Sequence, residues 1–238
     1  MRHVLGPGAP SERPRHVDEM RPLLFELRQR GLEARAILDV GAYEGAWSET
    51  ATEPFPSARF FLIEPQVERK PSLDAFCERH PGSRWFQAAA GAAPGQRILT
   101  TVAGDGSGAS LLREPPPEMQ PICEQRRVPV VTIDSLLEEA AIAMPDLVKV
   151  DVQGFELEAL RGGQRLFGPV EAFILEVSLF RFMPGLPLFH EVVAFIAERD
   201  YYAYDFGGSL RRPYDRALGQ TDLCFARKRG ILRASDRW

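Results

Sequence analysis

The chain has 238 residues, 45% of them hydrophobic and 26% charged, with a formal net charge of -4. That composition fills one full core and supplies no basic field for a phosphate backbone, which argues against nucleic acid as the main partner. No segment approaches the roughly 20 apolar residues of a membrane span, so no membrane partner is expected.

Residues 1–15 carry Gly6, Pro7, Gly8, Pro10 and Pro14 and are expected to form a flexible arm, with 16–238 a single domain. The arm lacks the apolar core of a signal peptide. Cys77, Cys123 and Cys224 are odd in number and show no Cys-x-x-Cys spacing, which favours a reducing compartment. A cytoplasmic protein is the expectation.

From Pro22 to Arg30, Leu23, Leu24 and Leu27 share one helical face, with Pro22 placed in a first turn and Gly31 as the stop. Strand and helix patterns then alternate. Strands are predicted at Ile37 to Val40, Phe60 to Ile63, Arg84 to Ala88, Leu147 to Val152 and Ala172 to Val177. Helices are predicted at Ala46 to Thr52, Leu73 to Arg79, Phe155 to Leu160 and Phe189 to Arg199. Such alternation gives an α/β fold with a mostly parallel sheet and helices on both faces. Two further strands, Tyr201 to Phe206 and Asp222 to Ala226, form a terminal hairpin that sets the last strand antiparallel.

Between Thr100 and Arg127 the glycines 104, 106 and 108 and the prolines 115 to 117 predict irregular structure and a lid. Val128 to Ile133 is then a short strand, and Asp134 is placed as the cap of a helix from Ser135 to Ala141.

Ligands of open α/β sheets bind beyond the carboxyl ends of the strands, where this sequence places Asp39, Glu64, Asp151 and Glu176. The first of those strands runs into Gly41-Ala42-Tyr43-Glu44-Gly45 and then a helix. Glycine there lets the backbone take positive φ close to a ligand. Asp39 is placed to fix this turn and to reach an ammonium group. Glu64, followed by the strand-ending Pro65, is placed at the rim to accept both hydroxyls of a ribose. A dinucleotide turn wants Gly-x-Gly-x-x-Gly; here Tyr43 crowds the pyrophosphate position and Glu44 repels it. A cofactor with ribose and adenine but no phosphate fits better, and S-adenosylmethionine is that cofactor.

The chain resembles the FkbM-type S-adenosylmethionine-dependent methyltransferases over about 37 to 227. The resemblance rests on Asp39-Val40-Gly41-Ala42-x-x-Gly45, Ile63-Glu64-Pro65, Gly108-Ala109-Ser110-Leu111-Leu112, Val131-Thr132-Ile133-Asp134-Ser135-Leu136 and Leu147-Val148-Lys149-Val150-Asp151-Val152-Gln153-Gly154-Phe155-Glu156. The last is similar to the family's Lys-Ile-Asp-x-Glu-Gly-x-Glu run, with Gln153 in place of a Glu. Leu175-Glu176-Val177 looks like the family's Glu-bearing fifth strand.

The resemblance implies a Rossmann-like class I methyltransferase. Gly41, Ala42, Tyr43 and Gly45 would line the methionine and ribose, Glu64 would hold the ribose, and Ala88 and Ala89 would contact adenine. It also implies methyl transfer to a hydroxyl, on a sugar or other small-molecule acceptor, with Asp151 the first candidate for the base and Glu176 the second. Lys149 shares a strand face with Asp151, so an ion pair between them is an equal alternative. A divalent cation held by Asp151 and Glu176 is a less favoured one. Ser110 is a candidate substrate contact, and Phe180, Phe182 and Met183 are candidate walls of an acceptor pocket. A dinucleotide-dependent oxidoreductase and a non-catalytic cofactor-binding protein of the same fold are the competing functions.

Overall fold

The computed structural model describes residues 16–115, 117–139 and 141–237, so the expected arm lies outside the described residues. Helix α1 (His16–Gln29) starts earlier than the leucine spacing indicated, and Pro22 sits inside it rather than at its start. Leu23, Leu24 and Leu27 are buried as predicted.

Seven strands form the main sheet. In chain order they are β1 (Ala36–Val40), β2 (Arg59–Ile63) and β3 (Arg84–Phe86), later β8 (Leu147–Val150), β9 (Ala172–Ser178), β10 (Tyr201–Arg211) and β11 (Leu218–Arg227). Their spatial order is β10-β11-β9-β8-β1-β2-β3. The pairs β1 with β2, β1 with β8, β2 with β3 and β8 with β9 are parallel, whereas β11 runs antiparallel to β9 and β10. The antiparallel last strand is therefore as expected.

The order reverses between β1 and β8, and a crevice opens at the carboxyl ends of strands at such a switch point. Every residue of β1 and β8 is buried, which is why both read as unbroken apolar runs apart from Asp39 and Lys149.

Helices cover both faces. On one side Leu23, Leu24 and Leu27 of α1, Trp47 and Ala51 of α2 (Ala46–Thr52) and Leu73 and Phe76 of α3 (Lys70–Arg79) pack on Ile37, Phe60, Leu62 and Ile174. On the other, Ile133 and Leu136 of α4 (Ile133–Glu138), Ala159 and Leu160 of α5 (Glu156–Arg161) and Val192 and Ile196 of α6 (Phe189–Ala197) pack on Leu38, Val148, Phe173 and Val177. None of the helices among the described residues is long and apolar enough to cross a membrane.

Three local expectations are corrected. The segment taken for an irregular lid is a second sheet, with β4 (Ala89–Ala90), β5 (Gly95–Val102), β6 (Asp105–Ser110) and β7 (Cys123–Val131) in the order β4-β7-β5-β6. Gly104, at φ 79°, makes the tight β5–β6 turn, whereas Gly106 and Gly108 lie within β6, whose pairing with β5 carries a register shift between Thr100 and Val102. The predicted strand at Arg84 to Ala88 stops at Phe86, and Ala89 and Ala90 pair with Val130 and Val131 in the second sheet. Finally, α4 is capped by Thr132, whose Oγ1 accepts from the Ser135 N–H at 3.1 Å. Asp134 instead accepts the N–H groups of Gln164 and Arg165.

Candidate active site

The crevice at the switch point holds a cavity of about 210 Å³. Its floor is the turn after β1. Gly41 has φ 85°, and a Cβ there would lie 1.9 Å from the Asp151 carbonyl oxygen, so only glycine lets the ends of β1 and β8 meet. Tyr43 takes φ 50° and Gly45, which opens α2, takes φ 81°.

That strained turn has a partner. The Tyr43 N–H donates to Glu64 Oε2 at 2.9 Å, and the Gln66 N–H donates to Glu64 Oε1 at 2.9 Å. Glu64 is 3% exposed, so it lies in the cavity wall rather than at an open rim as expected. Burial pushes its carboxyl pKa upward, against the pull of the Gln66 and Tyr43 N–H groups. Each oxygen holds one backbone donor, and a carboxylate oxygen accepts two.

Gly41, Ala42, Tyr43, Glu64, Pro65, Ala88 and Ala89 all line the cavity. Gly45 supports the turn from behind. Asp39 is fully buried outside the lining: its Oδ2 accepts from the Ser48 hydroxyl at 2.7 Å, and its Oδ1 has no hydrogen-bond partner among the described residues. Burial raises its pKa, with Lys149 and Ser48 opposing.

The second sheet supplies the remaining wall. Ser107, Ala109 and Leu111 face the cavity with Leu99, following the two-residue period of a strand and its continuation. The Gln66 side chain donates to the Gly106 carbonyl at 3.0 Å, fastening the β5–β6 hairpin over the site. Ser110 points the other way. Its hydroxyl donates to the Gln153 carbonyl at 2.8 Å and accepts the Leu112 N–H at 3.1 Å, and the residue is 1% exposed. It is a fastening of the same hairpin and does not line the cavity.

At the end of β8 the acids gather. Lys149 Nζ donates to Asp151 Oδ2 at 2.9 Å, so the ion pair given as an equal alternative is present, and Asp151 also lines the cavity. Burial works against the Lys149 ammonium, yet Asp151, Asp39 and Asp222 outweigh it and raise its pKa. Gln153, held at φ 51°, aims its Nε2 at Asp151 Oδ1 and at Glu176 Oε2, each 3.0 Å away. Gln220 donates to the same Glu176 oxygen at 2.8 Å. Glu176 does not line the cavity, and burial followed by the charges of Asp151 and Asp222 holds its pKa well above the carboxylate range. Glu156 Oε1 accepts the Val152 and Gly154 N–H groups, which fixes the turn after β8.

Several of these residues were not singled out from the sequence. Gln66, Gln220 and Asp222 act across long sequence separations, and no local pattern marks them. Ser107 and Ala109 were legible in principle, because they alternate with Gly106, Gly108 and Ser110. Glu44 also differs from its expected role: it pairs with Arg69 at 2.6 Å, and the Arg69 guanidinium stacks 4.2 Å from the Tyr43 ring centroid. The repulsion of phosphate argued from Glu44 is weakened accordingly. Among the described residues no three His, Cys, Asp or Glu side chains converge as metal ligands would.

The fold and cavity can be set beside known proteins. A family model described as the methyltransferase FkbM domain matches residues 39–202. No curated protein matches the chain. Among solved structures, magnesium protoporphyrin IX methyltransferase from Synechocystis PCC 6803, with bound S-adenosylmethionine, superposes with a TM-score of 0.51 at 12% identity, covering 89% of this chain and 77% of that one. The O-methyltransferase TomG from Streptomyces achromogenes, involved in tomaymycin synthesis and also solved with S-adenosylmethionine, gives 0.48 at 17% identity, over 88% and 80%. Precorrin-6y C5,15-methyltransferase from Geobacter metallireducens gives 0.47 at 10% identity over 88% of each chain. At 12% identity the likeness to the Synechocystis enzyme is one of fold, the class I methyltransferase fold, whereas the family match spans most of the chain, starting at the end of β1 and taking in β2, β8 and β9. The protein belongs to the FkbM methyltransferase family.

Proposed function

We propose that this methyltransferase binds S-adenosylmethionine in the cavity between β1, β2 and the β5–β6 hairpin, and methylates a hydroxyl of a sugar or secondary metabolite. The observation that carries the reading is Glu64. Its two oxygens each hold one backbone N–H and keep capacity for one more donor, which is what the paired hydroxyls of a ribose require.

The rest of the lining fits the same group. Ala88, Ala89, Ala90, Leu99, Ala109 and Leu111 make an apolar slot suited to a flat purine. With Glu44 paired to Arg69, the charged lining that remains is Glu64 and Asp151 against Lys149, a balance that still favours a cationic ligand over a pyrophosphate. When bound, S-adenosylmethionine supplies a methyl group on a positively charged sulfur.

This chain's residues supply position and a proton acceptor. Lys149 and Gln153 hold the two oxygens of Asp151 from opposite sides, fixing the carboxylate at the cavity wall. Asp151 would hold the acceptor hydroxyl and take the proton it loses on methylation, with S-adenosylhomocysteine leaving as the other product. Glu176, behind Gln153, orients that amide rather than meeting substrate.

Calorimetry with S-adenosylhomocysteine tests the reading. Wild type is expected to bind, and Glu64→Ala to bind about tenfold or more weakly through loss of two hydrogen bonds to a charged acceptor. Glu64→Gln, which keeps one acceptor oxygen, should fall between them. Thermal melts of both variants separate lost binding from lost folding. Equal affinity in a folded Glu64→Ala protein would remove the ribose assignment. Methyl transfer from labelled donor to hydroxyl-bearing acceptors, with amine-bearing counterparts alongside, then tests the atom methylated.

A further inference from the structure

Gln153 stands where the run it resembles carries Glu, and its contacts say what the amide does there. The residue lines the cavity beside Asp151 and is held at φ 51°, in the left-handed region that a non-glycine residue enters at a cost. Its surroundings enforce that conformation. The Ser110 hydroxyl holds the Gln153 carbonyl at 2.8 Å from the hairpin, and Glu156 Oε1 takes the N–H groups of Val152 and Gly154 on either side. Strain kept in place from two directions points to a use for the side chain.

That side chain is a bridge. An amide nitrogen carries two protons, and Gln153 Nε2 spends both on acids, Asp151 Oδ1 and Glu176 Oε2, at 3.0 Å each. The two acids differ in what else they hold. Asp151 has the Lys149 ammonium on its other oxygen at 2.9 Å, whereas Glu176 has only a second amide, that of Gln220, at 2.8 Å on the oxygen Gln153 already touches. The negative charge of the pair therefore rests on Asp151.

Glutamate has the shape of glutamine, so a Glu at 153 would set a carboxyl oxygen where that nitrogen lies, 3.0 Å from each of the other two. Three acids meeting at one point need a shared proton or a hard cation between them. Gln153 removes that need. Its nitrogen fills the bridging place, and the two carboxyl groups left are too few to satisfy a divalent ion that takes six or more oxygens.

We propose that Gln153 is the positioning residue of Asp151 and stands in for a divalent cation, so that this chain presents an ionised Asp151 to the acceptor hydroxyl with no metal between Asp151 and Glu176. The inference rests on the reading of Asp151 given above, and makes methyl transfer by this chain independent of metal.

The test is Mn²⁺ binding to the full chain near neutral pH, followed by electron paramagnetic resonance. Wild type and Asp151→Asn are expected to bind alike, through weak surface sites only. Gln153→Glu should gain one ion with a Kd of about 1 mM or tighter, and Gln153→Glu combined with Asp151→Asn should lose about tenfold of that affinity with the charged ligand. A side chain that only packs would bring no such gain. Thermal melts run alongside, and Mn²⁺ should raise the melting temperature of Gln153→Glu and not that of wild type. If Gln153→Glu is unfolded without metal, recovery of its fold in Mn²⁺ is the same result. Mn²⁺ bound by wild type and lost in Asp151→Asn overturns the proposal, as does a Gln153→Glu protein that Mn²⁺ neither binds nor rescues. None of these measurements uses S-adenosylhomocysteine, so the cofactor reading stands or falls separately, on whether wild type binds that product.

Discussion

Asp151 is a carboxylate with two duties that pull apart under substitution. It neutralises a buried ammonium, and in the proposed reaction it also takes the proton of the acceptor hydroxyl from the cavity wall. Asp151→Asn keeps the shape and one acceptor oxygen, and Lys149 retains the charges of Asp39 and Asp222 nearby. The expected outcome is S-adenosylhomocysteine affinity within about twofold of wild type, with methyl transfer reduced by about 10² to 10⁴, the usual range for a lost general base. Single-turnover transfer at saturating donor would show it, and near-normal turnover in a folded Asn variant would assign Asp151 to charge balance alone. Glu64 and Gly41 were legible in the sequence because strand, turn and helix there are consecutive. The arrangement around Asp151 was legible only by half. Lys149 announced itself by strand period, whereas Gln153 reaches Glu176 from 23 residues away through a left-handed backbone that no local pattern reveals.

At the scale of elements, the β5–β6 hairpin is fastened over the cavity at two points, Gln66 to the Gly106 carbonyl and Ser110 to the Gln153 carbonyl. The second point joins the cover to the turn that orients Asp151. Ser110→Ala leaves a part-buried carbonyl and the Leu112 N–H without that partner, a loss of about 1 kcal/mol or somewhat more. Amide hydrogen exchange is expected to rise in 105–112 and 152–154 together, with S-adenosylhomocysteine binding a few-fold weaker. Faster exchange confined to the hairpin would show that the two segments are not coupled. This sheet escaped sequence reading because its glycines and prolines were taken as breakers. In the structure Gly95 and Gly104 sit at its turns, Pro129 faces out from β7, and the strands between them keep the two-residue alternation. The parallel strands of the main sheet were easier, since burial on both faces writes each as a short apolar run between turn residues.

For the whole molecule, the main sheet encloses more acid than base. Asp39, Lys149, Glu176 and Asp222 share one face of neighbouring strands, by the register of β1 with β8, β8 with β9, and β9 with β11. One ammonium cannot compensate three carboxylates and Asp151 as well, so protons are retained. Burial pushes the Asp222 carboxyl up to about 7 despite the attraction of Lys149, with Asp151 and Glu19 adding to the rise. Between its ordinary value of 3.8 and about 7 the folded chain therefore holds a proton that the unfolded chain has released. Stability from this group is fully present below the unfolded value and is lost as pH rises through the folded one. Glu156, raised by burial from 4.5 to about 7, acts in the same direction. Asp222→Asn removes one of these linked protons while keeping the side chain's shape. Urea unfolding at pH 4, 6 and 8 is expected to show the Asn protein gaining on wild type as pH rises, by up to about 4 kcal/mol for a shift of three units. Parallel stability curves for the two proteins would mean that Asp222 is ionised throughout, and that Lys149 alone carries the balance of the buried face.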